Sequence, residues 1–387
     1  MASNTRSPKA TFGVEWEFYI GLYQLHSANQ KPDAVLAAFP NAVIIPHLRH
    51  GIKEVQIYAR QGIIAALRDS GVDINDVDEN GKITSPPGPS SQRYQNNTAE
   101  RKYFLWSLDT DASLKAPRLG GQDVPAGNPT LSWLGLELVS PAVTDEASSY
   151  ADLERVINLV KAKYYVNANL TCGLHVHTAL GINPVPLRGL RRCAALCFAM
   201  DSVVAELHPR HRLKTAFANP VRTASNAAMG RTAVDASEHY AESPHNQYKW
   251  FIKLDPPPDV DIRGVVHQIL RCTGAGPVAW MMATSFLAAN YNFSQFGNPD
   301  VANPTLEFRQ HEGTADTTRI SAWARFCAGL FRYAVLELTD EKLAEVVALC
   351  EDAEKDKSGR LYLYELLELL GMTDQARGLG LQPYFSN

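Results

Sequence analysis

Residues 303–314 have the sequence NPTLEFRQHEGT, whose alternation of apolar and charged residues predicts a β-strand. Alternate residues of a strand project from the same face, with their Cα atoms about 6.5–7 Å apart. Glu307, Arg309 and His311 therefore share one face of this strand, and Phe308 faces the other way. Charged side chains and an imidazole are rarely packed in a hydrophobic core. This face of the strand is therefore predicted to belong to a functional site.

Two other segments that are predicted as strands repeat this arrangement, with a pair of acids or a pair of histidines at alternate positions: Glu15 and Glu17 in FGVEWEF (12–18), and His175 and His177 in CGLHVH (172–177). Paired acids on one face repel each other unless water or a cation lies between them. Carboxylate oxygens and imidazole nitrogens from separate strands suit Mg²⁺ or Mn²⁺. Each pair alone is more typical of a solvated strand, but together they predict a metal site.

Arg309 adds a basic group to the predicted metal site. Its planar guanidinium matches a phosphoryl group, and a phosphate that bridges arginine and metal would explain why the arginine lies beside the acids. The combined pattern predicts that acids, imidazoles and Arg309 converge around divalent ions and a phosphoryl group.

Further acids occur in two other segments. Glu137 lies in GLELVSP (135–141), an apolar strand in which a lone acid is seldom buried without a partner. Asp109 and Asp111 lie in WSLDTDASL (106–114), where a turn-forming role explains them equally well. Glu137 therefore joins the candidate site, and the two aspartates are weaker candidates.

The composition is that of a globular protein. The chain has 387 residues, of which 45% are hydrophobic and 20% charged, with a formal net charge of −4. These values exclude a disordered chain, and they give neither the basic footprint of a nucleic-acid-binding protein nor a membrane-spanning apolar run. Because the first ten residues contain no apolar leader and the six cysteines are scattered, we expect a soluble cytoplasmic protein. Cys193 and Cys197 are expected in the core.

The sequence between the strands predicts helices, among them long ones at 187–207 and from about 265 to 288. No internal repeat is evident. We expect one catalytic domain over residues 1–387, which closes with a helical segment at 319–387.

The stretch 216–246 is polar and lacks periodicity, which is typical of a functional loop or lid. Arg222 and Arg231 would let such a lid close over phosphates, although a solvated loop explains them as well. Residues 354–365 follow a calcium-binding loop at several positions but begin with Glu354 in place of Asp, which favours a metal-free helix connection and leaves calcium binding open.

The quoted segments resemble the amidoligases of the carboxylate–amine ligase superfamily, which also contains glutamine synthetase and glutamate–cysteine ligase. The segments FGVEWEF, WSLDTDASL, GLELVSP, CGLHVH and TLEFRQHEGT occur in the order of that family between Phe12 and Thr314. The resemblance implies an α+β fold, in which a curved, mainly antiparallel sheet binds nucleotide on its concave face and carries helices on its outer face.

The resemblance also implies roles for particular residues. It assigns Glu15, His175 and Glu307 to one metal ion, Glu17 and Glu137 to a second, His177 and Arg309 to the transferred phosphate, His311 to catalysis, Thr314 to the amidoligase motif as a nucleotide contact, and Arg212 to phosphate or substrate. Trp16 is bulkier than the aliphatic residue expected there. Nothing resembles the ammonia or glutamate signatures of glutamine synthetase, so the resemblance does not extend to the substrates.

The function expected from this resemblance is an ATP- and Mg²⁺-dependent ligase that joins a small-molecule or peptide carboxylate to an amine through an acyl phosphate. Three alternatives use the same residues: a phosphotransferase of the guanido-kinase kind, a metal-dependent hydrolase, and a binding module whose active site has decayed. No nucleic-acid or membrane partner is expected. The sequence leaves open the acid, the amine, the pathway and the oligomeric state.

Overall fold

The structure is a computed structural model that describes residues 8–25, 37, 40–46, 51–84, 104–111, 113–114, 131–251, 254, 261–285, 288–356 and 359–381. Its strands are β1 (Thr11–Gln24), β2 (Val43–Ile45), β3 (Asp76–Val77), β4 (Ile83–Thr84), β5 (Ser107–Asp109), β6 (Ser132–Val139), β7 (Val143–Thr144), β8 (Val166–Asn167), β9 (Gly173–Ala179), β10 (Tyr291–Asn292) and β11 (Leu306–Glu312). Most of the strand pairings are antiparallel, and the large sheet is not closed.

Helices make up much of the rest of the described chain. They are α1 (Ile52–Arg68), α2 (Ala147–Lys163), α3 (Leu187–Val204), α4 (Val221–Ala224), α5 (Ala233–Glu242), α6 (Ile262–Arg271), α7 (Ala275–Met281), α8 (Ser294–Gly297), α9 (Thr317–Arg332), α10 (Asp340–Asp356), α11 (Gly359–Leu369) and α12 (Thr373–Gly378). None of the helices in these described ranges is both long and apolar enough to cross a membrane. The predicted mixture of helix and mainly antiparallel sheet is confirmed, and the glutamine synthetase-like curvature stays a prediction.

The chain divides into two compact units that interleave along the sequence. The first, the β1 unit, consists of the described parts of Gly13–Leu174 and Gly313–Ser321. The second, the β11 unit, includes His175–Glu312 and the described residues from Ala322 onward. That the units act as one catalytic domain stays a prediction.

In the β1 unit, β1 is the central strand. It pairs antiparallel with β6, so that Glu17 lies opposite Glu137, and β6 in turn pairs with β5. On β1, Trp16 and Phe18 are buried as aromatic core residues, as the alternation predicted for Trp16. Helix α1 contacts β3 and β5, and Arg60 on its buried face donates to the Leu108 carbonyl of β5 through Nε and Nη2.

In the β11 unit, α3 is the central helix. It packs against α6 and α10, and most of its residues are buried. Cys193 and Cys197 lie on this helix as buried free thiols, so their expected place in the core is confirmed. Burial raises the pKa of the Cys197 thiol well above its ordinary value, which leaves it uncharged. These cysteines are packing residues.

Two sequence predictions in the β11 unit were wrong in detail. The stretch 216–246 is not irregular throughout, because α5 forms there with Thr232 as its N-cap and Asp235 completing a capping box. The helix expected from about 265 to 288 is two helices, since α6 ends at Arg271 with Cys272 as its C-cap, and α7 begins after Gly274. In both places a cap formed by a few residues determines where the helix begins or ends, and the spacing of apolar residues does not show it.

Candidate active site

The β1 unit places two of the predicted acids directly opposite each other. Glu17 on β1 and Glu137 on β6 are register partners, and Asp109 on β5 is the register partner of Glu137. Like charges that face each other across a strand pair are destabilising unless a cation or a hydrogen bond compensates. Glu17 is only 3% exposed, so water does little to offset the repulsion.

A third acid completes a group with these two. One carboxylate oxygen each from Glu17, Asp111 and Glu137 lies within 4.8 Å of the others. Glu17 also accepts a hydrogen bond through Oε2 from the Gly173 amide at 2.5 Å. Two oxygens that bind one Mg²⁺ ion at about 2.1 Å each are at most about 4.2 Å apart. The carboxylates of this group would need to move only slightly closer together than 4.8 Å to share such an ion.

Asp109 has a different task from Asp111, although the sequence treats them alike. Asp109 lies 3.1 Å from Nη2 of the buried Arg60, which holds its carboxylate beside α1. Asp111 Oδ1 accepts from the Ser113 amide, as its turn role predicted, while its carboxylate also joins the acidic group. Leu114 packs on Gly135, where a Cβ would meet Leu114 Cβ at 2.9 Å, and this close approach holds the Asp111 turn beside β6.

Trp16 and Thr314 are joined within the β1 unit. The Trp16 indole Nε1 donates to the Thr314 carbonyl at 2.7 Å, and the Thr314 hydroxyl accepts from the Asp316 amide. The departure from the family pattern at Trp16 therefore has a structural role, because it anchors the end of the amidoligase motif. Glu15 lies one residue before Trp16, half-buried and opposite Val139 of β6.

Tyr19 lies near the acidic group of the β1 unit. Its hydroxyl is 3.0 Å from Thr171 Oγ1. Burial is the largest cause of a raised pKa for Tyr19, and the charge of Glu17 adds to it. The phenol therefore stays protonated at neutral pH and remains a hydrogen-bond donor.

In the β11 unit, Glu307 is the centre of a second group. Its Oε1 pairs with Arg309 Nη1, and it lies 3.7 Å from His175 Nδ1 and 3.7 Å from His177 Nε2. Its Oε2 accepts from Asn292 Nδ2 at 2.9 Å, across the β10–β11 register. Glu307 is 6% exposed, so an almost buried carboxylate is shared by two imidazoles and a guanidinium.

Two arginines near this group are held by backbone carbonyls. Arg309 Nε donates to the Phe217 carbonyl at 3.0 Å. Arg212, which is 3% exposed, donates through Nη2 to the Arg309 carbonyl at 2.7 Å and through Nε to the Gln310 carbonyl. Arg212 therefore supports the strand that carries Arg309, and its predicted contact with phosphate or substrate stays a prediction.

His311 lies in an aromatic cluster. Its ring centre is 5.4 Å from that of Trp323 and 5.7 Å from that of His208, and its Nδ1 is 2.7 Å from the Glu312 carbonyl. Trp323 also contacts Phe308, which was predicted on the opposite face of β11 from His311. Strict alternation along β11 therefore does not describe the surroundings of His311, and its catalytic role stays a prediction.

The arginine expected on a lid is engaged elsewhere. Arg222 forms two hydrogen bonds with Glu354 of α10, at 3.0 and 3.1 Å, and its guanidinium carbon lies 5.2 Å from the Phe198 ring centre. Its backbone amide donates to Asp201. These contacts tie the start of the 216–246 stretch to α3 and α10, and Glu354, the first position of the calcium-loop-like segment, serves as a partner of Arg222.

Sequence reasoning gave Asp111 only as a weaker candidate, and it missed three polar residues that are joined by hydrogen bonds to Glu307 or His177, in the case of Gln295 through Thr305: Asn292, Gln295 and Thr305. These residues take their role from the register and from turns, which the sequence does not specify.

Each of the two groups contains donor types that could hold a divalent metal ion. Carboxylates and imidazoles are the ligand types of Mg²⁺ and Mn²⁺, and Arg309 supplies a planar cation beside Glu307.

Residues 8–243 match the family model that is described as "Putative amidoligase enzyme". The match spans more than half of the chain and ends before Glu307, Arg309, His311 and Thr314. No curated protein and no solved structure matches the chain. The chain therefore belongs to this amidoligase family.

Proposed function

We propose that this protein is an ATP- and Mg²⁺-dependent carboxylate–amine ligase that forms an amide bond through an acyl phosphate. The observation that carries the proposal is the group around Glu307, in which one almost buried carboxylate is shared by Arg309, His175 and His177. Such a group combines metal ligands with a cation for a phosphoryl oxygen, and family membership supports amide-bond formation.

We assign one Mg²⁺ ion to Glu17, Glu137 and Asp111 in the β1 unit, and another to His175 and Glu307 in the β11 unit. The donor types fit the ion, and Asp111 extends the set that the resemblance implied. Bound Mg²⁺ supplies charge neutralisation for the phosphates of ATP and for the phosphoryl group in transfer.

Arg309 has the chief role among the chain's own side chains. A guanidinium has five N–H donors in a fixed fork, and Arg309 uses Nε for Phe217 and Nη1 for Glu307. We assign the contact with the γ-phosphoryl oxygens to this guanidinium group, which would stabilise the charge that spreads over those oxygens during transfer. Arg212 keeps the Arg309 backbone in place through its hydrogen bond to the Arg309 carbonyl.

The proposed reaction has two steps. An oxygen of the substrate carboxylate attacks the γ-phosphorus of ATP, the bond from that phosphorus to the β–γ bridging oxygen breaks, and ADP leaves. The nitrogen of the amine then attacks the acyl carbon, the bond to phosphate breaks, and the nitrogen releases a proton. Phosphorylation comes first because an unactivated carboxylate would have to expel oxide.

The first prediction tests this proposal with a trapping assay. Protein, ATP, Mg²⁺ and a panel of carboxylic acids are incubated with hydroxylamine, which converts an acyl phosphate into a hydroxamate that mass spectrometry detects. With the correct acid we expect hydroxamate and ADP in equal amounts. With that acid labelled by ¹⁸O in its carboxylate, we expect one labelled oxygen in the released phosphate.

Two glutamates of β11 provide a matched pair of variants for this assay. Glu307→Gln should lower hydroxamate formation by about 100-fold or more, because it removes the charge at the centre of the group. Glu312→Gln changes the same residue type on the same strand and should retain activity. A stable phosphorylated guanidine or amine without hydroxamate would select the phosphotransferase. Turnover without ATP would select the hydrolase.

A further inference from the structure

A chain of hydrogen bonds connects His177 to two residues outside the Glu307 group. His177 Nδ1 lies 2.8 Å from Thr305 Oγ1, and Thr305 Oγ1 lies 3.1 Å from Gln295 Oε1. The Thr305 backbone amide also donates to Gln295 Oε1, at 3.0 Å. Gln295 belongs to the short helix α8, and Thr305 immediately precedes β11.

The direction of each hydrogen bond follows from the backbone amide. An N–H can only donate, so the Gln295 atom that faces it is the carbonyl oxygen and not the amide nitrogen. A carbonyl oxygen can only accept, so the Thr305 hydroxyl donates its single hydrogen to Gln295. The Thr305 oxygen then accepts from His177, which requires that His177 carry its proton on Nδ1.

This tautomer determines what the other ring nitrogen can do. In neutral imidazole with Nδ1 protonated, Nε2 presents a lone pair, and His177 Nε2 lies 3.7 Å from Glu307 Oε1. An imidazole lone pair and a carboxylate oxygen at this distance repel each other in the absence of a cation. Two ligands at about 2.1 Å from one ion can be up to about 4.2 Å apart, so 3.7 Å lies within the span of a shared divalent cation.

We propose that Gln295 and Thr305 hold His177 in the Nδ1–H tautomer and thereby make it a divalent-metal ligand together with Glu307. The resemblance had assigned His177 to the transferred phosphate, yet an Nε2 lone pair cannot donate to a phosphoryl oxygen. Thr305 and Gln295 are positioning residues, since they act through the imidazole. The inference deepens the proposed function, and its meaning for catalysis rests on that function.

The second prediction concerns the tautomer itself. In protein labelled with ¹⁵N-histidine, long-range ¹H–¹⁵N spectra distinguish a protonated ring nitrogen from one with a lone pair, and a His177→Gln variant assigns the signals. At neutral pH with saturating Mg²⁺, we expect Nδ1 of His177 to be protonated and Nε2 to carry the lone pair that faces the ion. A wild-type ring that is protonated on Nε2 under these conditions would overturn the proposal.

Matched variants test the role of the hydrogen-bond chain. Gln295→Glu keeps an acceptor for both Thr305 donors, whereas Gln295→Met, of similar size, removes it and frees the Thr305 hydroxyl to donate to His177. We expect the tautomer to persist in the Glu variant and to change in the Met variant. Thr305→Ser should likewise behave as the wild type, and Thr305→Val should not.

Binding of Mn²⁺ alone, measured by calorimetry, gives the second readout. We expect Gln295→Met and Thr305→Val to bind about 10- to 100-fold more weakly than the wild type, as for other groups that orient a metal ligand. Gln295→Glu and Thr305→Ser should stay within a few-fold of the wild type. Equal affinities across all four variants, each confirmed as folded by circular dichroism, would contradict the proposal. Neither readout uses ATP, so the failure of the ligase assay would not be mistaken for failure here.

Discussion

At the scale of single residues, Trp16 shows how one unexpected side chain supports the site. Its ring stacks on Phe18 with centroids 4.1 Å apart, and its Nε1 donates to the Thr314 carbonyl. The third prediction is that Trp16→Phe lowers the free energy of unfolding by about 2 kcal/mol, because it keeps a ring but loses a largely buried hydrogen bond. Urea denaturation measures this change.

Thr314→Ala is the control for this prediction. It keeps the backbone carbonyl that accepts from Trp16 and loses only the hydroxyl that accepts from the Asp316 amide. We expect a cost below about 1 kcal/mol. If Thr314→Ala were the more destabilising of the two, the indole hydrogen bond would not be what anchors the motif.

The sequence predicted single residues well where strand periodicity governs them. Glu17, His175 and Glu307 lie in strands where the sequence predicted strands, and the adjacent residues Val176 and Phe308 are buried and apolar, as expected. Residues in turns were not predictable in this way. Asp109 and Asp111 differ in role because Arg60 of α1 takes one of them, and Arg60 comes from a distant part of the chain.

At the scale of elements, α3 approaches its neighbour too closely for any side chain at Gly189. A Cβ there would lie 2.4 Å from the carbonyl oxygen of Val335, in the π-helical turn Tyr333–Glu337. The fourth prediction is that Gly189→Ala lowers the free energy of unfolding by about 1–3 kcal/mol, since backbone must move to admit the methyl group. Urea denaturation again provides the measurement.

Gly62→Ala supplies the contrasting case in α1. A Cβ at Gly62 would meet no atom within 4 Å, and the residue is exposed on its helix. Removing a glycine from a helix interior should therefore stabilise the protein by up to about 1 kcal/mol. Equal effects at the two glycines would show that the contact with Val335 relaxes without cost.

Element boundaries show where sequence patterns stop being informative. The capping box of α5 is formed by Thr232 and Asp235, yet its polar surroundings hide it when only apolar periodicity is considered. The break between α6 and α7 follows from Cys272 and Gly274, whereas the apolar residues continue through it. Caps depend on a few atoms, so a pattern averaged over several turns does not resolve them.

At the scale of the whole molecule, no feature of the sequence indicated that the chain alternates between two units. The β1 unit takes Gly313–Ser321 from far along the chain, and β9 itself contributes Gly173 and Leu174 to one unit and the rest of its residues to the other. Local periodicity carries no information about such interleaving. Family motifs did better, because they identified both polar groups without requiring knowledge of how the units form.

The stability of the whole molecule should depend on pH through Asp201, a buried acid of α3. Its Oδ1 accepts from Asn290 Nδ2 and its Oδ2 from the Arg222 amide, so one side chain joins α3 to α4 and to the segment before β10. Burial is the dominant influence and raises the pKa of Asp201 from 3.8 to about 6, although these hydrogen bonds oppose the change.

The fifth prediction follows from the sign of this shift. The folded protein holds the Asp201 proton more tightly than the unfolded chain, so the contribution of this group is greatest below its unfolded pKa and is lost as pH rises toward about 6. The difference in unfolding free energy between the wild type and Asp201→Asn should therefore shrink by about 1 kcal/mol from pH 5 to pH 7. Residue 201 of the variant does not titrate, and the other titratable groups are the same in both proteins, so their contributions cancel in the comparison.

Asp201→Asn should be the less stable protein at pH 5. Its new amide N–H groups would face the Asn290 amide or the Arg222 amide, which are themselves donors. Asn290 cannot rotate its side-chain amide to offer an acceptor instead, because its Oδ1 accepts from the Val221 and Tyr291 amides. A difference that grows with pH would mean that Asp201 is ionised in the folded state throughout this range, held by its hydrogen bonds against burial.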